Sequence, residues 1–63
     1  MQNIYGVVNS EGVHTDVSNS LRGTKNYATR NQYDTVSVRW NGGYNATIVA
    51  RKVGNKWKNI NNN

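Results

Sequence analysis

Thr35-Val36-Ser37-Val38-Arg39-Trp40 is followed by Asn41-Gly42-Gly43, then by a β-rich run from Tyr44 to Val53, and this stretch decides the fold. Its first six residues alternate polar and apolar with period two, the signature of a half-buried strand. Asn41-Gly42-Gly43 is turn chemistry, because Gly and Asn accept positive φ. Tyr44–Val53 reads as a second strand, Gly54-Asn55 as another turn, and Lys56–Ile60 as a last short strand. The stretch therefore predicts a three-stranded antiparallel meander.

Its register follows from which side chains would share a face. A three-residue loop with Gly43 left-handed opposes Trp40 to Tyr44, Val38 to Ala46 and Val36 to Ile48. One apolar face then carries Val36, Val38, Trp40, Tyr44, Ala46, Ile48 and Ala50. A two-residue loop opposes Val38 to Thr47 and mixes polar with apolar. Since a one-residue slip flips every side chain, the three-residue loop is preferred. A two-residue turn at Gly54-Asn55 opposes Lys52 to Trp57 and Arg51 to Lys58. Trp57 thereby joins the apolar face, and Trp40 and Trp57 are expected to supply core bulk in a chain without Phe.

Upstream, Asn3–Asn9 and Val13–Ser18 flank a turn at Ser10-Glu11-Gly12 and read as an N-terminal hairpin. Ser18–Tyr33 lacks β-branched runs. Ser20 is placed to cap a helix over Leu21–Arg30, with Leu21, Thr24 and Ala28 on one face. Gly23 weakens that helix, and an ordered loop with one helical turn is the alternative. The fold class is α+β, mostly β, in one small domain over residues 1–60. Residues 61–63 are expected to be a disordered Asn tail. The central segment is expected to cover the apolar face of the sheet, since a sheet must bury one face.

Composition narrows the chemistry. The chain has 63 residues, no Cys, no Pro, and eight Lys or Arg against three acids, for a net charge of +5. Disulfides and thiolate zinc sites are excluded, and one histidine with three carboxylates argues against a closed metal site. No apolar run is long enough for a membrane helix, so a cytoplasmic protein needing no cofactor is expected. His14 and Asp16 lie two apart on a strand and share a face, yet a triad also needs a placed nucleophile. Glu11, Asp16 and Asp34 suggest no paired carboxylates. Gly23-Thr24-Lys25 lacks the rest of a phosphate-loop pattern. No catalytic residue is assigned, and the protein is read as not an enzyme.

The cations are interleaved with aromatics, as nucleic-acid surfaces require. Arg39, Arg51, Lys52, Lys56 and Lys58 lie in the meander, and Arg22, Lys25 and Arg30 in the central segment. Tyr27 and Tyr33 flank Arg30 and are the candidates for an exposed stacking patch. Lysines on an edge strand also discourage aggregation, which explains Arg51 less well because its strand is central in the meander. The expected function is a non-catalytic nucleic-acid-binding module for DNA or RNA, recognising backbone and shape. The alternative is a modulator or inhibitor that docks on an acidic protein. A homodimer is a further way to complete so small a core.

The chain, short, cysteine-free, basic and rich in Asn, resembles in general character the small accessory proteins of tailed bacteriophages, which are typically single short domains without cysteine, rich in Asn, Lys and Tyr. The resemblance is compositional and transfers no residue role. It implies nucleic-acid binding, or binding and inhibition of a host protein, in the cytoplasm of a host bacterium.

Overall fold

A computed structural model describes residues 3–40, 42, 43 and 45–60. The elements are β1 (Asn3–Val8), β2 (His14–Ser18), α1 (Leu21–Arg30), β3 (Thr35–Trp40), β4 (Ala46–Val53) and β5 (Lys56–Asn59). The strands form one sheet in the order β2-β1-β3-β4-β5, every neighbouring pair antiparallel. The protein is thus α+β, mostly β, with the hairpin, helix and meander in the expected order. The hairpin and the meander are joined because β1 lies against β3, with Val7 opposite Val36 and Tyr5 opposite Val38.

The helix begins and ends for identifiable reasons. Ser20 has extended backbone, and its Oγ accepts from Gly23 N at 3.2 Å. At the other end Gln32 takes φ 65, Gln32 N donates to Thr29 O, and Tyr33 N donates to Ala28 O at 2.8 Å. This is a Schellman closure, with Gln32 in the left-handed position that Gly more often fills. Thr24 and Ala28 are fully buried against the sheet, and Leu21 packs beside them. Thr24 is satisfied there, because its Oγ1 donates to Ser20 O and lies 3.0 Å from Ser18 Oγ.

Cross-strand pairing sorts the sheet into two faces. Val7, Val36 and Ala50 form one row beneath α1 and, with Ala28, make the core. Tyr5, Val17, Leu21, Tyr33, Val49 and Trp57 pack around it. Trp57 Nε1 donates to Thr29 Oγ1 at 3.0 Å and Lys25 Nζ to Asn59 Oδ1 at 2.7 Å, tying the helix to β5.

The register of β3 with β4 corrects the sequence reading. Val38 opposes Thr47 and Arg39 opposes Ala46, not Val38 to Ala46. A bulge then shifts the ladder, so Val36 opposes Ala50 while Ser37 opposes Ile48. Ala46 and Ile48 therefore lie on the face away from α1. The bulge at Val49 reconciles the two demands. The loop end adopts the register that mixes polar with apolar, and the far end still buries Ala50 on Val36. The loop glycines also exchange roles. Gly42, at φ 92, is the left-handed residue, and Gly43 N donates to Trp40 O at 2.8 Å. Trp40 is 58% exposed and is not core, because it lies at the loop end of β3, four positions past Val36, the β3 residue buried in the core. The expected pairing of Trp40 with Tyr44, and the expected Asn tail at 61–63, fall outside the described residues.

The final hairpin has the expected register. Lys52 opposes Trp57 and Arg51 opposes Lys58. β3 spans the expected residues, β1 and β2 each fall one residue short of the expected strand, and β4 begins at Ala46.

Candidate nucleic-acid interface

The face away from α1 carries two different sets of side chains. Toward β2 it holds a polar network. Toward β5 it holds cations that make no ion pair among the described residues.

The polar network is built on a glycine. Gly6 sits in β1 between Asp16 of β2 and Ser37 of β3. A Cβ there would come 2.7 Å from His14 Cε1 and 2.1 Å from the Thr15 carbonyl oxygen. Only a residue without a side chain lets the imidazole lie over the strand. His14 Nδ1 hydrogen-bonds the hydroxyl of Ser37, and His14 Nε2 donates to Asp16 Oδ1 at 2.8 Å. Arg39 closes the set through Nε to Asp16 Oδ1 at 2.8 Å and Nη2 to Asp16 Oδ2. Arg39 Nη1 also donates to the carbonyls of Trp40 and Gly43, which fixes the β3–β4 loop. The Arg39 hydrogen bonds, helped by the His14 contact against some desolvation, lower the Asp16 carboxyl to about 2. The same bonds raise the Arg39 guanidinium.

Ser, His and Asp are thus brought together, but not as a nucleophilic device. Ser37 is 1% exposed, under the imidazole, so its hydroxyl faces no substrate. Asp16 is held by Arg39 as well as by the histidine. The cluster covers half of a sheet face on which none of the described elements packs. No group of three or more His, Asp or Glu side chains among the described residues is placed to hold a metal.

The predicted cations divide accordingly. Arg39 is consumed by Asp16 and is not a free positive charge. Arg51 and Lys58 are direct cross-strand neighbours and Lys56 opposes Val53, all exposed on the outer face at the β4–β5 corner. Lys52, half-buried beside Trp57, belongs to the helix side, as does Lys25, which is bonded to Asn59. Arg22 and Arg30 are exposed on α1, in the layer on the opposite side of the sheet. Among the described residues none of these seven cations makes an ion pair, since both ion pairs involve Asp16.

Tyr27 and Tyr33 stack on each other, with ring centroids 6.4 Å apart and planes at 16°. Tyr27 is 37% exposed, whereas Tyr33 is half-buried against the core. Their contact is the apolar clasp that accompanies a Schellman closure. Sequence reading missed the His14–Ser37 contact and the role of Gly6. A lone glycine inside a strand pattern is a signal of close approach, and Gly6 was that signal. The chain contains no segment that matches a protein-family model, and it matches neither a curated protein nor a solved structure.

Proposed function

We propose that the protein binds nucleic acid without catalysis, through phosphate contacts at the outer β4–β5 corner. One observation carries this reading. Arg51 and Lys58 stand directly opposite each other, with Lys56 on the same face and no carboxylate paired to any of them among the described residues. Like charges so placed destabilise a sheet by ~0.2–1 kcal/mol. The free protein gains nothing from that arrangement, whereas a phosphate lying between the two would turn the repulsion into two attractions. Edge protection accounts for Lys56 and Lys58 on β5, but β4 is an interior strand, so it does not account for Arg51.

Contacts of this kind read backbone and shape, with little base discrimination. Three phosphates neutralised on a duplex give a slope of log K against log salt of about −2.7. The test is fluorescence-anisotropy titration of single-stranded DNA, duplex DNA and RNA at two salt concentrations. Arg51→Glu with Lys58→Glu should abolish binding while the circular dichroism spectrum is retained. Arg51→Glu alone should separate the two effects. It replaces a repulsive pair by an attractive one, so thermal stability should rise while affinity falls. Unchanged affinity in both variants would remove the corner from the interface.

A further inference from the structure

The two edges of the sheet are chemically unlike. The β5 edge carries Lys56 and Lys58. Pairing a strand against it brings these charges to the new strand, which is how natural edges avoid self-association. The β2 edge, His14–Ser18, has no Lys, Arg or Pro. Its free hydrogen-bonding groups can be identified. Asn9 N donates to Val13 O, so Val13 turns its carbonyl toward β1. The Thr15 carbonyl also lies toward β1, against Gly6. By the two-residue alternation of an antiparallel ladder, the N–H and C=O groups of His14 and Asp16 then point to the open edge.

We propose that this edge pairs with the β2 edge of a second copy of the chain, antiparallel and centred on Thr15. The proposal is independent of the nucleic-acid reading. In that register each His14 opposes Asp16 of the other copy, and the outward groups of both residues form the ladder bonds. Thr15 meets Thr15 on the two-fold axis. Val13, at 52% one of the most exposed apolar residues, comes to lie beside Val17 of the other copy. Ladder geometry selects this register from its neighbours. Centring on His14 or on Asp16 sets only that residue's outward groups against their own copy within the strand, whereas centring on Thr15 uses the outward groups of both residues in both copies. The pair is isologous, as closed two-fold interfaces are, and it joins two five-stranded sheets into one.

The contact is narrow and belongs with interfaces below ~1,200 Å². Association should therefore depend on concentration within roughly 1 μM to 1 mM. Sedimentation equilibrium of the full chain over that range is the measurement, with dimer expected to accumulate. Thr15 is exposed, so Thr15→Lys and Thr15→Glu leave the core untouched. Each alone sets like charges on the axis and should sediment as monomer, while an equimolar mixture should regain the dimer. Thr15→Cys provides a second reading. Directly opposed residues of a pair without ladder bonds lie ~4.5 Å apart at Cα, within disulfide reach. Oxidised glutathione should then link two chains through that cysteine. A wild-type chain that stays monomeric throughout, a Thr15→Lys protein that still dimerises, or failure of the cysteine to cross-link would each overturn the proposal.

Discussion

Gly6→Ala is the most informative single substitution, because one methyl group meets both a neighbouring backbone and the histidine. The added Cβ would lie 2.1 Å from the Thr15 carbonyl oxygen and 2.7 Å from both the Thr15 carbonyl carbon and His14 Cε1. The first contact is with backbone of a paired strand, so it is relieved only by separating β1 from β2. Overpacking of this kind costs about 1–3 kcal/mol. Displacing the imidazole also takes its Nδ1 from Ser37, which is 1% exposed and finds no water there. An orphaned buried hydroxyl adds about 1–3 kcal/mol. Together these amount to roughly 2–6 kcal/mol, against a stability of roughly 3–9 kcal/mol for a domain of this length. Urea unfolding followed by far-ultraviolet circular dichroism measures the loss. Gly23→Ala supplies the contrast. Its Cβ meets nothing nearer than 3.5 Å on a helix, and alanine there should stabilise by about 0.8–1.0 kcal/mol. A second comparison isolates the ring. In a His14→Ala background Gly6→Ala should cost less but still destabilise, since the Thr15 carbonyl remains. If Gly6→Ala lies within ~0.5 kcal/mol of the wild type, the imidazole does not lie over the strand and the network is wrongly drawn.

Three further outcomes are expected. Ser20→Ala removes the acceptor for Gly23 N and should lower stability by ~0.5–2 kcal/mol, read as a shifted urea midpoint with an unchanged slope; no shift would mean that α1 starts elsewhere. Trp57→Phe keeps most of the apolar contact but loses the Nε1 bond to Thr29, for ~0.5–1.5 kcal/mol, and Thr29→Val should cost less in that background than in the wild type, since only its bond to the Lys25 carbonyl is left to lose. Asp16, lowered from 3.8 to about 2 chiefly by its hydrogen bonds to Arg39, binds its proton less readily folded than unfolded. Its contribution to stability is complete above about pH 5 and is lost as pH falls through about 2. Urea midpoints between pH 2 and 5 should show that decline in the wild type, and a decline of equal size in Asp16→Asn would assign it to other groups.

Much of the fold was legible because its determinants are local. Ser20 before Leu21, with Thr24 and Ala28 at helical spacing, carries the start and the buried face of α1 within ten residues. Gly54-Asn55 between two short strands fixes the last hairpin register, including the Arg51–Lys58 pair. The β3–β4 register was not legible, because a bulge at Val49 changes the pairing in mid-strand and leaves no compositional mark. Trp40 was misread for a different reason. Its alternation with Val36 and Val38 is real, but exposure depends on where the helix ends over the sheet, which is a tertiary matter. Of the cations, the sequence named every member and hid their distribution. The partner of Arg39 is Asp16, 23 positions away, and only the β2-β1-β3 order brings the two together.

That strand order also explains how so short a chain closes a sheet with one helix. The helix covers the row Val7, Val36 and Ala50, and the fully buried apolar core is these three residues with Ala28. Among the described residues no element covers the other face, where Ile4, Val8 and Ile48 remain half-buried. Long polar side chains cover apolar surface with their stems while their heads stay hydrated. Arg39, anchored at Asp16, lies between Ile4 and Ala46 in its row, and His14 lies across Gly6 beside Val8. The network thus serves as a lid on one half of the face. Each polar atom it buries is satisfied, since no buried side-chain nitrogen or oxygen among the described residues lacks a partner. The other half, at Arg51, Lys56 and Lys58, has the same long side chains but, among the described residues, no carboxylate that anchors them. The difference between the halves is Asp16. A single acid converts one cationic stretch into structure, and among the described residues no acid does the same at the β4–β5 corner.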